Sequence, residues 1–460
     1  MNRSDQQETT RTLAQFAAGL RYADITPEVR AHVKNILIDT VACGFAGHDG
    51  DETAQIRALS ESIARSDESS VIGGGGLSLA GATLLNGYLI TAVTMCDIHR
   101  PTHTHVTPEV VPPALAIAER DGLPGRDLLV ALAVGFEITT RIGLGSDYPI
   151  FRKKGWHGPG IFGAFGAAAA VGRLLKLDAA AMARAFGLAG SQAAGTFAAW
   201  GTPTVKFHQC RGALSGLMAS ILAAQHFVAT QEFLTASDGG LYNTYSDGGK
   251  PALALDGLGE RWELLQIGLR PWPSGSPMQG INTVLFDLVE NNAIDADAIV
   301  KARIRVSPSV FEMHGNFQHY HGKFEALISA HYTAAAILAD RALGLRQYEA
   351  SRYDDPVLRQ AVMQQIEIAP DHSLHGVQAI AEIELNDGTK ISGRCDHPRG
   401  SYENPLSRDQ LRSKFETYVS RFKTADQLSE IFGMIDGLED LDSVRRLTGM
   451  LRSQLERSAN

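Results

Sequence analysis

Residues 160–175 read GIFGAFGAAAAVGRLL, and this stretch decides the fold. Its small residues at helical spacing predict a helix whose neighbours' backbones come very close, as in a crowded helical bundle. In a lipid bilayer the same composition would make a dimerisation face, but charges every few residues in the flanking chain exclude that reading. Working outward, Asp178 is placed to cap a helix over 179–188, and another helix is expected over 212–227. Upstream, helical patterns cover 160–175, 127–142, 112–119 and 77–95. Thr26, followed by Pro27 and Glu28, is an N-cap with proline in the first turn, and Val29, Val33, Ile36, Leu37, Thr40 and Val41 follow at helical spacing. No strand-like alternation of useful length interrupts this half.

Near Arg270 the character changes. The segment RPWPSGSPMQG, residues 270–280, is a proline- and glycine-punctuated loop of the kind that joins domains or lines a site. Alternating stretches follow at 302–306, 366–368 and 377–385. The last meets Asn386-Asp387-Gly388 and continues over 389–393, a hairpin signal. A helix is expected over 326–343. From Ser407, with Gln410 three residues on, a capping box opens a helix carrying Leu411, Phe415, Tyr418 and Val419 on one face. The expected fold class is therefore mainly α. Residues 1–267 and 401–460 make a large all-helical domain, into which a smaller α/β domain is inserted over 268–400.

Composition narrows the function. The chain has 460 residues, 46 of them glycine, with 44% hydrophobic residues, an ordinary globular value. Its net charge is −9 with no basic run, which excludes nucleic acid as a partner, because that binding begins with phosphate neutralisation. Cys43, Cys96, Cys210 and Cys395 form no Cys-x-x-Cys pair, so neither a zinc ribbon nor a disulfide scaffold is indicated. The N-terminal MNRSDQQETTRTLAQF lacks the apolar run of a secretory leader. The apolar stretch 77–95 contains Asn86 and glycines and reads as a buried helix, not a membrane span. A cytoplasmic protein with no membrane partner is expected.

Three segments carry candidate chemistry. CDIHRPTHTHVTPE, residues 96–109, places Asp97, His99, His103 and His105 at the end of an apolar helix. Three histidines in seven residues could ligate a metal, yet Pro101 disfavours the continuous helix that would align them, and no metal is assigned. KKGWHGPGIFG, residues 153–163, puts His157 just before a helix start. TVKFHQCRGA, residues 204–213, sets Lys206 between Val205 and Phe207 just ahead of a long helix. A desolvated lysine there would serve as acid, base or counterion. There is no Walker loop, no Gly-x-Gly-x-x-Gly after a strand and no Gly-x-Ser-x-Gly elbow, so no nucleotide and no serine hydrolase chemistry is indicated.

Taken in order, IDTVACGFAG (38–47), NGYLITAVTMCD (86–97), HVTPEVVPPALAIAE (105–119) and GFEITTRIG (135–143) resemble the MmgE/PrpD family. So do KKGWHGPGIFGAFGAAAAVGRLLKLD (153–178), GLAGSQAAGTFAAWGTPTVKFHQCRGA (187–213) and YENPLSRDQLRSKF (402–415). That family includes 2-methylcitrate dehydratases, cis-aconitate decarboxylases and an iminodisuccinate epimerase. The resemblance implies a large helical domain with an inserted α/β lid, a homodimer, and no cofactor. By the same resemblance Asp97, His105, His157 and Lys206 are the catalytic residues. The chain departs from the family pattern at Ile98, His99 and Arg100, and again where Arg270 replaces a lysine with no histidine before Asn282. Arg270 keeps the charge but cannot act as a general base. These departures count against methylcitrate and cis-aconitate as the substrate.

All the family's reactions handle a carbon beside a carboxylate on a small polyanion, and the charge that develops needs fixed positive groups. The expectation is a lyase, dehydratase or decarboxylase, acting on a small di- or tricarboxylic acid. Lys206, His105, His157 and Arg270 would supply the cationic pocket, with His99 and His103 also binding substrate. An epimerase is the runner-up. A metal-binding or non-catalytic protein is the rival of another class.

Overall fold

The computed structural model describes residues 8–292 and 294–453; the first seven residues, part of the stretch read for a leader, lie outside it. The chain is 60% helix and 9% strand, a mainly α fold with a small α/β part. It divides into two compact units. The first holds residues up to Ala92, Cys96–Gly268 and everything from Arg408; the second holds Val93–Met95 and Leu269–Ser407.

Among the described helices of the first unit, seven frame the site: α1 (Pro27–Ala46), α2 (Leu79–Ala92), α3 (Thr107–Asp121), α4 (Gly125–Gly145), α5 (Pro159–Leu174), α6 (Ala179–Gly190) and α7 (Thr204–Ala224). The capping expectations hold in atomic detail. The Thr26 hydroxyl accepts from Val29 N at 3.3 Å and Asp178 Oδ1 from Ala181 N at 2.7 Å, each satisfying an otherwise unpaired first-turn amide. Helix α5, the GIFGAFG stretch, is buried along almost its whole length and packs on α4, α3 and α7. The close approach is visible at Gly216 of α7, where an added Cβ would collide with Ala167 of α5. Likewise a Cβ at Gly87 of α2 would meet Cys210 Cβ of α7 at 2.9 Å. Helix α4 is 21 residues long, mostly apolar and almost wholly buried, the mark of a core helix of the bundle.

Two boundaries differ from expectation. Helix α3 starts at Thr107, before the Pro112-Pro113 pair that had suggested a start at 112, because a remote carboxylate caps it. Helix α7 starts at Thr204, one turn or more ahead of Gly212, so Lys206 belongs to its first turn. The segment 71–75 turns between two-residue strands, Ser69–Ser70 and Gly76–Leu77. Asn86 braces it from α2, accepting from Ile72 N and donating to Ser70 O, both at 2.9 Å. The helix Arg408–Val419 returns to the first unit and packs on α1, where buried Lys414 and Asp39 pair at 2.5 Å.

The second unit is a four-stranded sheet with helices on one face. Strands β1 (Ile299–Val306), β2 (Ile366–Pro370), β3 (Ala379–Leu385) and β4 (Lys390–Cys395) lie in the order β2-β1-β3-β4, with β1 and β2 parallel and the other pairs antiparallel. Ile299, Ala302, Ile304 and Val306 alternate inward, the period-2 pattern of a half-buried strand. Helices α8 (Gln279–Asn291) and α9 (Ala330–Asp340) cover that face. The Asn386-Asp387-Gly388 turn closes the hairpin, with Gly388 at φ +84° and Asp387 Oδ1 accepting from Thr389 N at 2.8 Å. The helix expected over 326–343 is broken at Ser329, whose extended backbone ends Lys323–Ile328 and whose hydroxyl caps α9 by accepting from Tyr332 N at 3.1 Å.

Candidate active site

Asp97 is 1% exposed, and its carboxylate is committed to the start of α3. It accepts from Val106 N at 2.8 Å, Thr107 N at 3.1 Å and the Thr107 hydroxyl at 2.5 Å. A negative charge there satisfies free amides and opposes the positive end of the helix dipole. His105 stands just ahead of the same helix, with Nδ1 2.6 Å from the main-chain oxygen of Asp97. A carbonyl only accepts, so Nδ1 carries the proton and Nε2 holds the lone pair when the ring is neutral. Asp97 therefore orients His105 through its main chain, whereas its carboxylate holds the helix.

His157 lies at the entry to α5. Its N–H donates to Gly195 O at 3.0 Å, its Nδ1 is 3.2 Å from Nδ1 of His208, and its ring meets Phe197 edge-on with centroids 5.9 Å apart. One of the two facing nitrogens must donate and the other accept, so the pair is coupled through a single proton. Burial, and then the positive character of His208, His105 and Arg152, push the His157 pKa down to about 3. The ring is neutral near pH 7, and His105 lies close enough to influence it. Gly160 permits the approach of α5 to the His208 segment; a Cβ there would meet Ala194 O at 2.8 Å and His208 Cβ at 2.9 Å. Arg211 fixes the adjoining loop, donating to Gln192 O at 2.7 Å and Ala194 O at 2.9 Å.

Lys206 is 5% exposed, and its Nζ donates to the main-chain oxygen of Ala92, the last residue of α2. The two apolar neighbours and the early start of α7 bury the amine, although spacing alone favours a solvated surface lysine. Asp97, His105, His157 and Lys206 all belong to the first unit, on segments that begin α3, α5 and α7 or, for Asp97, cap one of them.

The remaining candidates lie in different settings. His99 is fully buried with both ring nitrogens engaged: Nδ1 is 2.7 Å from the Thr102 hydroxyl and Nε2 is 3.0 Å from Glu263 Oε1. With a hydroxyl on one side and a carboxylate on the other, no ring nitrogen remains for a substrate; the expected binding role gives way to a structural one. His103 is exposed, has a left-handed backbone at φ +46°, and stacks on Tyr148 with centroids 4.9 Å apart. Arg270 belongs to the second unit, is 1% exposed, and donates from Nη1 to Ser274 O at 3.0 Å within the proline-rich loop. Among the described residues no three His, Cys, Asp or Glu side chains converge as a metal set.

Three residues near this site were not singled out by the sequence. His208, two positions after Lys206 in the same segment, is half-buried beside His157. Arg152, one position ahead of the KKGWHG segment, lies with its Cζ 3.3 Å from the centroid of the Phe197 ring, and its charge acts on His157 and His103. Glu109 is fully buried against Gly163 and Gly212, and neither of its oxygens has a partner outside its own residue. Burial, and then the charge of Asp97, raise its pKa well above the carboxylate range, so it is held as the neutral acid. The Thr107-Pro108-Glu109 triplet at a helix start offered a signal for ordinary capping, not for a buried acid.

Comparison with known proteins places these features in context. The sequence profile of the MmgE/PrpD N-terminal domain matches residues 11–254, and that of the MmgE/PrpD C-terminal domain matches residues 272–436. The chain is 26% identical to the cis-aconitate decarboxylase-like protein oryM of Aspergillus oryzae, covering 97% of this chain and 98% of that one. It is 26% identical to the cis-aconitate decarboxylase of Homo sapiens, over 96% and 94% of the two chains. Identity to the Aspergillus terreus cis-aconitate decarboxylase is 25%, over 96% and 95%.

Proposed function

Because the chain belongs to the MmgE/PrpD family, we propose that it is a lyase acting without a cofactor on a small polycarboxylic acid, by acid–base chemistry at a carbon next to a carboxylate. Relatives of nearly equal length that carry the name cis-aconitate decarboxylase support the reaction class. The observation that carries the reading is the His157 environment: a neutral buried imidazole whose ring faces a second imidazole, with the Arg152 guanidinium charge acting on it. Such a place is costly to occupy with another cation and favourable for an anion.

Burial is the main cause of the low His157 pKa and the positive neighbours add to it; a bound carboxylate offsets that second contribution and so moves the pKa back up toward the range where the ring carries a transferable proton. In a decarboxylation the bond to the departing carboxylate breaks, carbon dioxide leaves, and the electron pair spreads onto a remaining carboxylate. His157 or Lys206 then supplies the proton for the new C–H bond. In a dehydration one of them, in its neutral form, removes the C–H proton, and His105, entering as the imidazolium, gives its Nε2 proton to the hydroxyl that leaves as water. Where His157 moves the proton, Lys206 stabilises the enolate-like charge through its buried amine. Asp97 acts as a positioning residue, holding α3 and, through its main chain, His105.

The test is proton NMR in D2O with purified protein and a panel of small di- and tricarboxylates, cis-aconitate first. Carbon dioxide release or alkene formation supports the lyase. Deuterium exchange without net conversion would replace it with an epimerase. Retention of the activity by both Lys206→Ala and His157→Ala would overturn the assignment of residues.

A further inference from the structure

Buried and half-buried arginines in the first unit mostly spend their donors on the protein itself. Arg141 donates to Glu137 and to the main-chain oxygens of Ala254, Asp256, Gly257 and Arg261. Arg211 donates to three carbonyls and to Ser215. Arg152 is different. It is half-buried on the short helix Tyr148–Lys153, and among the described residues no carboxylate pairs with it and no acceptor takes its N–H groups. Its one defined contact is the face of Phe197, which also touches His157 edge-on and stacks on Trp200 with centroids 5.2 Å apart.

Stacking occupies the flat face of a guanidinium and leaves the N–H groups at its edge available. Those donors match a carboxylate in the two-point geometry that makes arginine–carboxylate pairs strong. The charge of Arg152 reaches His157, His103 and Tyr148, so it is part of the field at the histidine cluster. A cation fixed on an aromatic platform beside the reacting groups, with its donors unspent, is a pre-arranged receptor for an anion.

We propose that Arg152 binds the substrate carboxylate farthest from the reacting carbon, and thereby makes the site selective for tricarboxylates over acids that lack this third group. The choice of a tricarboxylate substrate rests on the lyase reading above; the receptor property does not. Phe197 is the positioning residue that holds the guanidinium edge toward the ligand.

The experiment is calorimetric titration of the full chain with two inert acids, tricarballylate and glutarate, for the wild type, Arg152→Gln, Arg152→Lys and Phe197→Leu, with folding checked by thermal melting. Arg152→Gln is expected to weaken tricarballylate about ten- to a hundredfold, the loss of one charge-assisted pair. Glutarate affinity should stay within about twofold, or remain below detection in both proteins. Arg152→Lys should recover only part of the loss, because an ammonium cannot form the fork, and Phe197→Leu should weaken the tricarboxylate by a smaller factor. Unchanged tricarballylate affinity in Arg152→Gln, equal losses for both acids, or no binding of tricarballylate by the wild type would overturn the proposal. If Arg152-dependent binding is seen while no acid in the D2O panel is converted, the lyase reading fails and the receptor stands. If conversion is seen and tricarboxylate binding ignores Arg152, the reverse holds.

Discussion

Two buried histidines, His99 and His157, lie in the same helical unit and live in opposite electrostatic worlds. His99 is the end of a closed chain of charges. Its Nε2 meets Glu263, whose main-chain N–H donates to Glu137 at 3.1 Å, and Glu137 pairs with Arg141 at 2.5 Å with neither exposed. Every group there has an opposite or complementary partner. Among the described residues the ring nitrogens of His157 have another imidazole as hydrogen-bond partner, with Phe197 edge-on, Arg152 acting on the ring and no carboxylate bonded to it. The first arrangement is complete and holds structure; the second lacks a negative charge and is ready to receive one. A histidine count alone, three in the segment 96–109 and one at 157, cannot separate the two.

The contrast can be broken most severely at the chemistry. Lys206→Ala and His157→Ala are each expected to lower turnover by about a hundred- to ten-thousandfold with the fold retained, measured as kcat alongside far-ultraviolet circular dichroism. On the closed side, Arg141→Met should do the converse. It strands Glu137 as an unpaired buried charge and is expected to cost about 3–5 kcal/mol in urea unfolding, with kcat of the folded protein nearly unchanged. A large loss of kcat without loss of stability would erase the distinction.

Acid sharpens the comparison further. His157 has a folded pKa of about 3 against an ordinary 6.5, so its contribution to stability is fully present above pH 6.5. As the pH falls below that value the unfolded chain takes up a proton that the folded chain refuses, and stability declines until about pH 3. The unfolding free energy from urea titrations should fall less steeply between pH 7 and 5 in His157→Gln than in the wild type, the slopes differing by at most about 1.4 kcal/mol per pH unit. Equal slopes would show that His157 accepts a proton in the fold. The smallest expected effect is at Glu109, whose pKa moves the other way. The unfolded chain ionises it above its ordinary pKa while the fold keeps it neutral, so it subtracts stability at neutral pH. Glu109→Gln, which removes that cost, is expected to stabilise the protein at pH 7 by about 1 kcal/mol or more and to make no difference near pH 4.

Local chemistry was legible in the sequence wherever a short segment contains its own explanation. Thr26 with Pro27, Asp178 before Ala179, and Asn386-Asp387-Gly388 each carry cap or turn within four residues, and the structure shows them so. Lys206 and His157 could be singled out because an apolar or glycine-rich setting surrounds them in the chain itself. What escaped depends on distance. The α3 start at Thr107 is set by Asp97, ten residues away across a turn, and His99 is satisfied by Glu263, 164 residues away. Arg152 and His208 gain meaning only once Phe197 and His157 are brought between or beside them, and no periodicity records that.

The alanine and glycine content of α5 and α7 has a thermal consequence. Burying alanine fixes almost no rotamers, and glycine none, so this unit orders its core with little loss of side-chain freedom. It also withdraws less hydrocarbon from water per residue than a core of leucine and phenylalanine would. Heat capacity of unfolding follows the apolar area exposed, so α5 and α7 add little to it per residue, and the leucine, isoleucine and valine of the other helices supply most of the unit's share. Contact made by letting backbones touch is thereby less sensitive to cooling than contact made by burying large side chains.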